Sequence, residues 1–158
     1  MRHIIDQVRQ DGDDALVKLT NKFDRYDVDL TRMRFTEDEI AKTIRSCRSD
    51  HLDALNLAAH RIREYHKRQV PENLNYLDEE GVRLGYRWTP IQAVGLYVPG
   101  GTASYPSSVL MSSLPARIAG VQRLVMVVPT PGDQVNPLVL AAADIAGVDD
   151  IYRIGKTL

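Results

Sequence analysis

Polar and apolar positions alternate with a helical period through the first half of the chain and change to short continuous apolar blocks in the second. Asp11-Gly12-Asp13 interrupts an opening helix, and Asp13 or Asp14 can cap the next one through about Phe23, with Ala15, Leu16 and Leu19 on its inner face. Thr36-Glu37-Asp38-Glu39 has the form of a capping box and predicts a helix through about Cys47. Ser49 or Asp50 opens a longer helix to about Gln69, where Leu52, Leu55, Ala59 and Ile62 make one apolar stripe, and Pro71 ends it. Tyr76–Leu77 and Val82–Trp88 then read as a hairpin around Asp78-Glu79-Glu80-Gly81.

After this point the blocks are apolar on both parities. Ala93–Val98, Arg123–Val128 and Asp150–Ile154 read as strands. Helices Ser107–Ile118 and Asn136–Ala146 separate them, the second with Pro137 at its first position and Gly147 beyond its end. This β-α-β-α-β order with short connections predicts a parallel sheet, and strands apolar on both faces predict helices on both sides of it. The fold class is therefore α/β: a helical N-terminal region and hairpin, followed by half of a Rossmann-like doubly wound sheet.

Charge divides the chain at the same place. Of 20 Lys/Arg and 21 Asp/Glu, residues 90–158 hold only four of each. That segment is expected to be largely buried, with a soft boundary near Trp88–Gln92 separating a helical and hairpin unit (1–89) from an incomplete Rossmann-like unit (90–158). A chain of 158 residues can form a core without staples. Its net charge of −1 argues against nucleic acid as partner. No apolar run is long enough for a membrane span, and the polar Met1–Gln10 does not read as an export signal. Cys47 is the only cysteine, so there is no disulfide framework, and a reducing cytoplasm is expected.

Several chemical features have plain readings. Asp24, Asp27 and Asp29 lack the glycine and the spacing of a calcium loop and read as solvated. His51, His60 and His66 share one helix, but His60 and His66 point about 240° apart, which rules out a common metal. Arg61, Arg63, Lys67 and Arg68 with Tyr65 read as a solvated helix face. Cys47 lies between basic residues but has no identified base, so it reads as unreactive.

Ligands on doubly wound sheets sit beyond the carboxyl ends of the strands, which places the candidate site at Tyr97–Ser108. Gly100 and Gly101 permit close approach of backbone to a ligand, Tyr97 offers a flat ring and a hydroxyl, and the free amides near Ser107 and Ser108 favour an anionic group. A tight turn with no ligand explains the same two glycines, since neither the GxGxxG nor the P-loop pattern is present.

The segments Gly95-Leu96-Tyr97-Val98-Pro99-Gly100-Gly101, Tyr105-Pro106-Ser107-Ser108-Val109-Leu110-Met111 and Pro115–Val121 resemble the histidinol dehydrogenase family. So do Val125–Pro131, Ala141–Gly147 and Ile151–Gly155, and upstream Gly12–Leu16, Phe23-Asp24 and Ala59–Tyr65. The resemblance implies an oxidoreductase of histidine biosynthesis that oxidises L-histidinol to L-histidine through an aldehyde, in two NAD-dependent steps, with zinc, as a homodimer. It matches Tyr97 to the family's first NAD-contacting tyrosine and Gly100 and Gly101 to its cofactor loop.

Where the family continues after Gly155 with a second glycine and an Ala-Gln segment, this sequence has Lys156-Thr157-Leu158. The family's later NAD contacts, its Gln/His/Asp/His zinc ligands and its Glu-His catalytic pair have no counterpart here. The expectation is a truncated homologue with no catalytic and no metal residue of its own, inactive alone, that exposes apolar surface and forms a homo-oligomer or binds a partner chain. Two other readings stand beside it. One is a fragment of a related zinc- and NAD-dependent dehydrogenase of another polar alcohol; the other is a non-catalytic module that binds a nucleotide or a partner.

Overall fold

Gly12 bends the first helix: α1 (Arg2–Asp24) holds two helical segments that meet where Gly12 takes φ 57°, ψ −133°, a conformation open to glycine. The computed structural model describes residues 2–24, 27–99 and 105–155. Within α1, Ala15 and Leu19 are buried and Leu16 is half-buried, the expected inner face. A short helix α2 (Leu30–Met33) follows, capped by Asp29, whose carboxylate accepts from the Arg32 amide at 2.9 Å and the Thr31 hydroxyl at 2.5 Å. The aspartate read as solvated loop is thus a helix cap, and the Thr31 hydroxyl and Arg32 amide hold its carboxyl below the usual range.

The predicted capping box opens α3 (Glu37–Arg45). The Thr36 hydroxyl accepts from the Glu39 amide at 3.2 Å, and the Glu39 carboxylate accepts from the Thr36 amide at 2.8 Å. Helix α4 (Ser49–Lys67) stops four residues short of Pro71 and turns Ala59 fully inward, with Leu52, Leu55 and Ile62 half-buried beside it. Strands β1 (Leu74–Leu77) and β2 (Arg83–Tyr86) form an antiparallel hairpin. Its turn is closed by the Asp78 carboxylate, which accepts from the amides of Glu80 and Val82.

The second half follows the expected order: β3 (Ala93–Tyr97), α5 (Pro106–Ile118), β4 (Arg123–Val127), α6 (Pro137–Ala146) and β5 (Asp150–Tyr152). The strands are parallel and their spatial order β3-β4-β5 follows the chain. Asn136 caps α6 by accepting from the Leu138 amide, and Gly147 ends it in the left-handed conformation, φ 74°.

Alternation along the strands defines two unequal faces. Met126 and Ile151 enter a core with Val109, Leu110 and Leu114 of α5 and Leu140, Ala142 and Ala143 of α6. Helices α3 and α4 pack onto α5 and α6, and Ala59 and Phe35 join the same core. Among the described residues the opposite face is covered near β5, where Tyr152 and Ile154 meet Val28, Met33, Leu16 and Val17. At β3 it is open: a side chain built on Gly95 would meet nothing within 4 Å, and Tyr97 is 43% exposed. The expected cover on both sides is therefore partial. The described parts of α1 and α2 pack beside β5, at the edge of the sheet opposite β3.

Candidate functional site at the carboxyl ends of the strands

Tyr97 is the last residue of β3, paired in register with Val127 of β4. Val98 continues the pairing, its amide donating to the Val127 carbonyl at 3.0 Å, and its side chain is buried. The chain therefore leaves the sheet with a fixed direction, and the Tyr97 ring faces outward on the uncovered side. Gly100 and Gly101 lie outside the described residues. The chain re-enters at Tyr105, which precedes α5 and is itself exposed, so two tyrosines flank that loop. Pro106 occupies the first turn of α5, and among the described residues no side chain caps its amides, the kind of helix start that can receive an anion.

The neighbouring rim is built by residues to which the sequence reading gave no role. After β4 the chain makes a single 3₁₀ turn, Pro131–Asp133, with Thr130 buried before it and Asp133 at φ 61°. After β5 comes Arg153, whose side chain is 5% exposed. Its guanidinium donates to the Arg32 carbonyl at 2.7 Å and to Glu39 at 2.8 Å, and its Nε lies 3.3 Å from Asp133. The guanidinium also stacks 3.6 Å from the centre of the Phe35 ring. Arg32 reaches Asp133 as well, at 2.5 Å.

One cation thus ties the start of α3, the end of α2 and the turn after β4 to the end of β5. A buried guanidinium needs such partners, because an unpaired charge there would be strongly disfavoured. Partial burial pushes the Glu39 carboxyl upward, but the Thr36 amide and Arg153 outweigh it and hold the group below its usual range. The signal for this cluster was available: Arg153 is a charge set between Tyr152 and Ile154 near the end of the last predicted strand.

A second clasp closes the opposite end of the sheet. Arg117 of α5 donates to the carbonyls of Val121, Gln122 and Gly147 and pairs with Asp149 at 2.5 Å. The Asp149 carboxylate also accepts from the Leu124 amide at 2.7 Å. A cleft of about 530 Å³ opens at this end, lined by His66, Val70, Trp88, Pro90, Pro115 and Ile118 among others. It lies at the amino ends of the strands, away from Tyr97.

The remaining candidates separate. His51 and His60 are exposed on α4, and His66 belongs to the cleft. Cys47 is half-buried with its thiol 3.7 Å from the Thr43 carbonyl. Arg63 donates to the Ile145 carbonyl, Lys67 pairs with Glu64 at 2.7 Å, and Arg68 donates to the Glu64 carbonyl, so much of that basic run is engaged within the fold. Among the described residues no three His, Cys, Asp or Glu side chains are grouped to hold a metal ion. No helix among them is long and apolar enough to cross a membrane.

A parallel sheet with an exposed tyrosine and an open helix start at the carboxyl end of its edge strand defines an α/β protein of the Rossmann-like kind. The chain belongs to the histidinol dehydrogenase family: the sequence model described as Histidinol dehydrogenase matches residues 1–157. It is 55% identical over 154 residues to the histidinol dehydrogenase of Rhodopseudomonas palustris, covering 98% of this chain and 36% of that protein. To the enzyme of Rhodospirillum rubrum it is 56% identical over 152 residues, covering 96% and 35%. The crystal structure of histidinol dehydrogenase from Elizabethkingia anophelis superposes with a TM-score of 0.91 at 30% identity, over 97% of this chain and 35% of that one. The chain spans about a third of the length of the curated relatives it matches.

Proposed function

We propose that this chain supplies the first part of the nucleotide site of an NAD-dependent dehydrogenase that oxidises L-histidinol to L-histidine through the aldehyde. The observation that carries the reading is Tyr97, held by the β3–β4 pairing at the carboxyl end of the sheet with its ring on the open face. Family membership names the reaction. The described residues fit a dinucleotide: the half-exposed Tyr97 ring offers a flat face for stacking, and the start of α5, which Tyr105 does not cap, can receive phosphate. NAD, when bound, accepts hydride. Tyr97 would orient one end of it, and Gly100 and Gly101 would let backbone approach it.

The described residues do not fit zinc. In this reading zinc and the proton-transfer groups belong to the part of the relatives that this chain does not match, and no step is assigned to metal here. The isolated 158-residue chain then binds NAD weakly and does not turn histidinol over, because affinity and catalysis need several fixed contacts together. The unit 90–158 carries the loop, and the unit 1–89 covers its helices. Self-association and a cytoplasmic setting belong to the same proposal, the latter supported by a single half-buried thiol.

Titration with NAD tests the reading. Saturable binding weakened about tenfold by Tyr97→Ala supports it. Titrations of the two proteins that coincide overturn it.

A further inference from the structure

The turn after β4 is held in a strained shape by two arginines. Gly132 and Asp133 both take the left-handed backbone, at φ 63° and φ 61°. Glycine does so freely, whereas an aspartate does so at a cost, and among the described residues Asp133 is the only non-glycine with positive φ. Such strain persists where surrounding contacts over-determine it, and it gathers at ligand clamps. Here Arg32 meets one oxygen of the Asp133 carboxylate at 2.5 Å, and Arg153 lies 3.3 Å from the other.

The remaining arms of Arg153 have other support. The segment before α3 is tied to β5 by backbone alone: the Phe35 amide donates to the Ile151 carbonyl at 2.9 Å, and the Arg153 amide to the Met33 carbonyl at 2.8 Å. Glu39 is already fixed by the Thr36 capping box. What the buried guanidinium adds is its reach to the turn. Strands that run parallel and alternate with helices place the starts of α5 and α6 together at the carboxyl end of the sheet, and the two helices pack side by side. Pro131–Asp133 leads towards α6 as Tyr105 leads into α5. The turn is thus the neighbour of the α5 start, in the crevice where doubly wound sheets take ligands.

We propose that Arg153 is a positioning residue for the nucleotide: acting through Asp133, it fixes the turn Pro131–Asp133 as a wall of the site beside the start of α5. The proposal rests on the nucleotide reading above and adds this wall to it. A wall held in place before binding loses no freedom when NAD arrives, which raises affinity. Neither Arg153 nor Asp133 needs to touch the cofactor for this effect.

NAD titrations and denaturation midpoints, measured together on variants of the full chain, test this. Asparagine tolerates the left-handed backbone but carries no charge for the two arginines, so Asp133→Asn is expected to keep the fold and weaken NAD binding about fivefold. Arg153→Lys is expected to weaken it to a like degree, and the double variant no further, because both act through one contact. Asp149→Asn is the control, since it loosens the arginine clasp at the amino ends of the strands. It is expected to lower the midpoint and leave NAD affinity unchanged, whereas a purely structural clasp would tie affinity to stability at both ends. NAD binding that weakens with Tyr97→Ala but not with Asp133→Asn overturns the positioning role alone, and so does equal weakening by Asp149→Asn. A native chain that binds no NAD overturns the nucleotide reading and this role with it.

Discussion

Arg153 reads in the sequence as one more strand position, yet it holds three segments at the rim of the candidate site. Its partner Glu39 also closes the capping box of α3, so one carboxylate serves a helix start and a buried cation. Glu39→Gln separates the two roles, because glutamine can still cap but carries no charge. The folded-state carboxyl is held below its usual range, so its stabilisation is complete above the ordinary glutamate value of about 4.3 and is lost as pH falls through the lower folded value. Near neutral pH the variant should be less stable by about 1 kcal/mol, a modest figure because the carboxylate remains partly in water. Thermal melts from neutral to acidic pH should show the two proteins converging as pH drops; a constant gap would show that the charge is not the source. Tyr97 was legible because it ends an apolar block before two glycines. Arg153 stood out as a charge beside apolar residues, but its partners were not legible, because Arg32 and Glu39 lie more than a hundred positions away in sequence.

The elements whose ends are written locally were the most readable. The Thr36 box, the Asn136 cap with Pro137, the left-handed Gly147 and the break at Gly12 stand where local chemistry places them. Thr36→Ala should cost about 1 kcal/mol by leaving an amide of the first turn unmet, read as a lower denaturation midpoint with unchanged slope. No change in the midpoint would mean that tertiary packing alone fixes the start of α3. Helix α2 escaped the sequence reading because four residues give no period. Its signal was the Asp29-x-Thr31 pattern, which looks the same in a loop. The hairpin strands were found, but their full exposure was not foreseen, since alternation shows that one face is apolar without showing what covers it.

At the scale of the whole molecule, the sheet is one-sided. Helices α3 to α6 build the core on one face, and the other is bare along β3 where Tyr97 stands. Apolar strands alone predicted cover on both faces; how far the first helices reach is a tertiary fact with no local signature. The proposal drawn from the sheet and the family is that this chain forms the opening part of a dehydrogenase nucleotide site, with zinc and proton transfer left to the portion of the relatives it does not match. The most direct test mixes the pure chain with L-histidinol, NAD and zinc and follows NADH by its absorbance. The account predicts no NADH above the protein-free control. Histidinol-dependent NADH formation that Tyr97→Ala abolishes would contradict it, because the catalytic groups would then have to lie within these 158 residues.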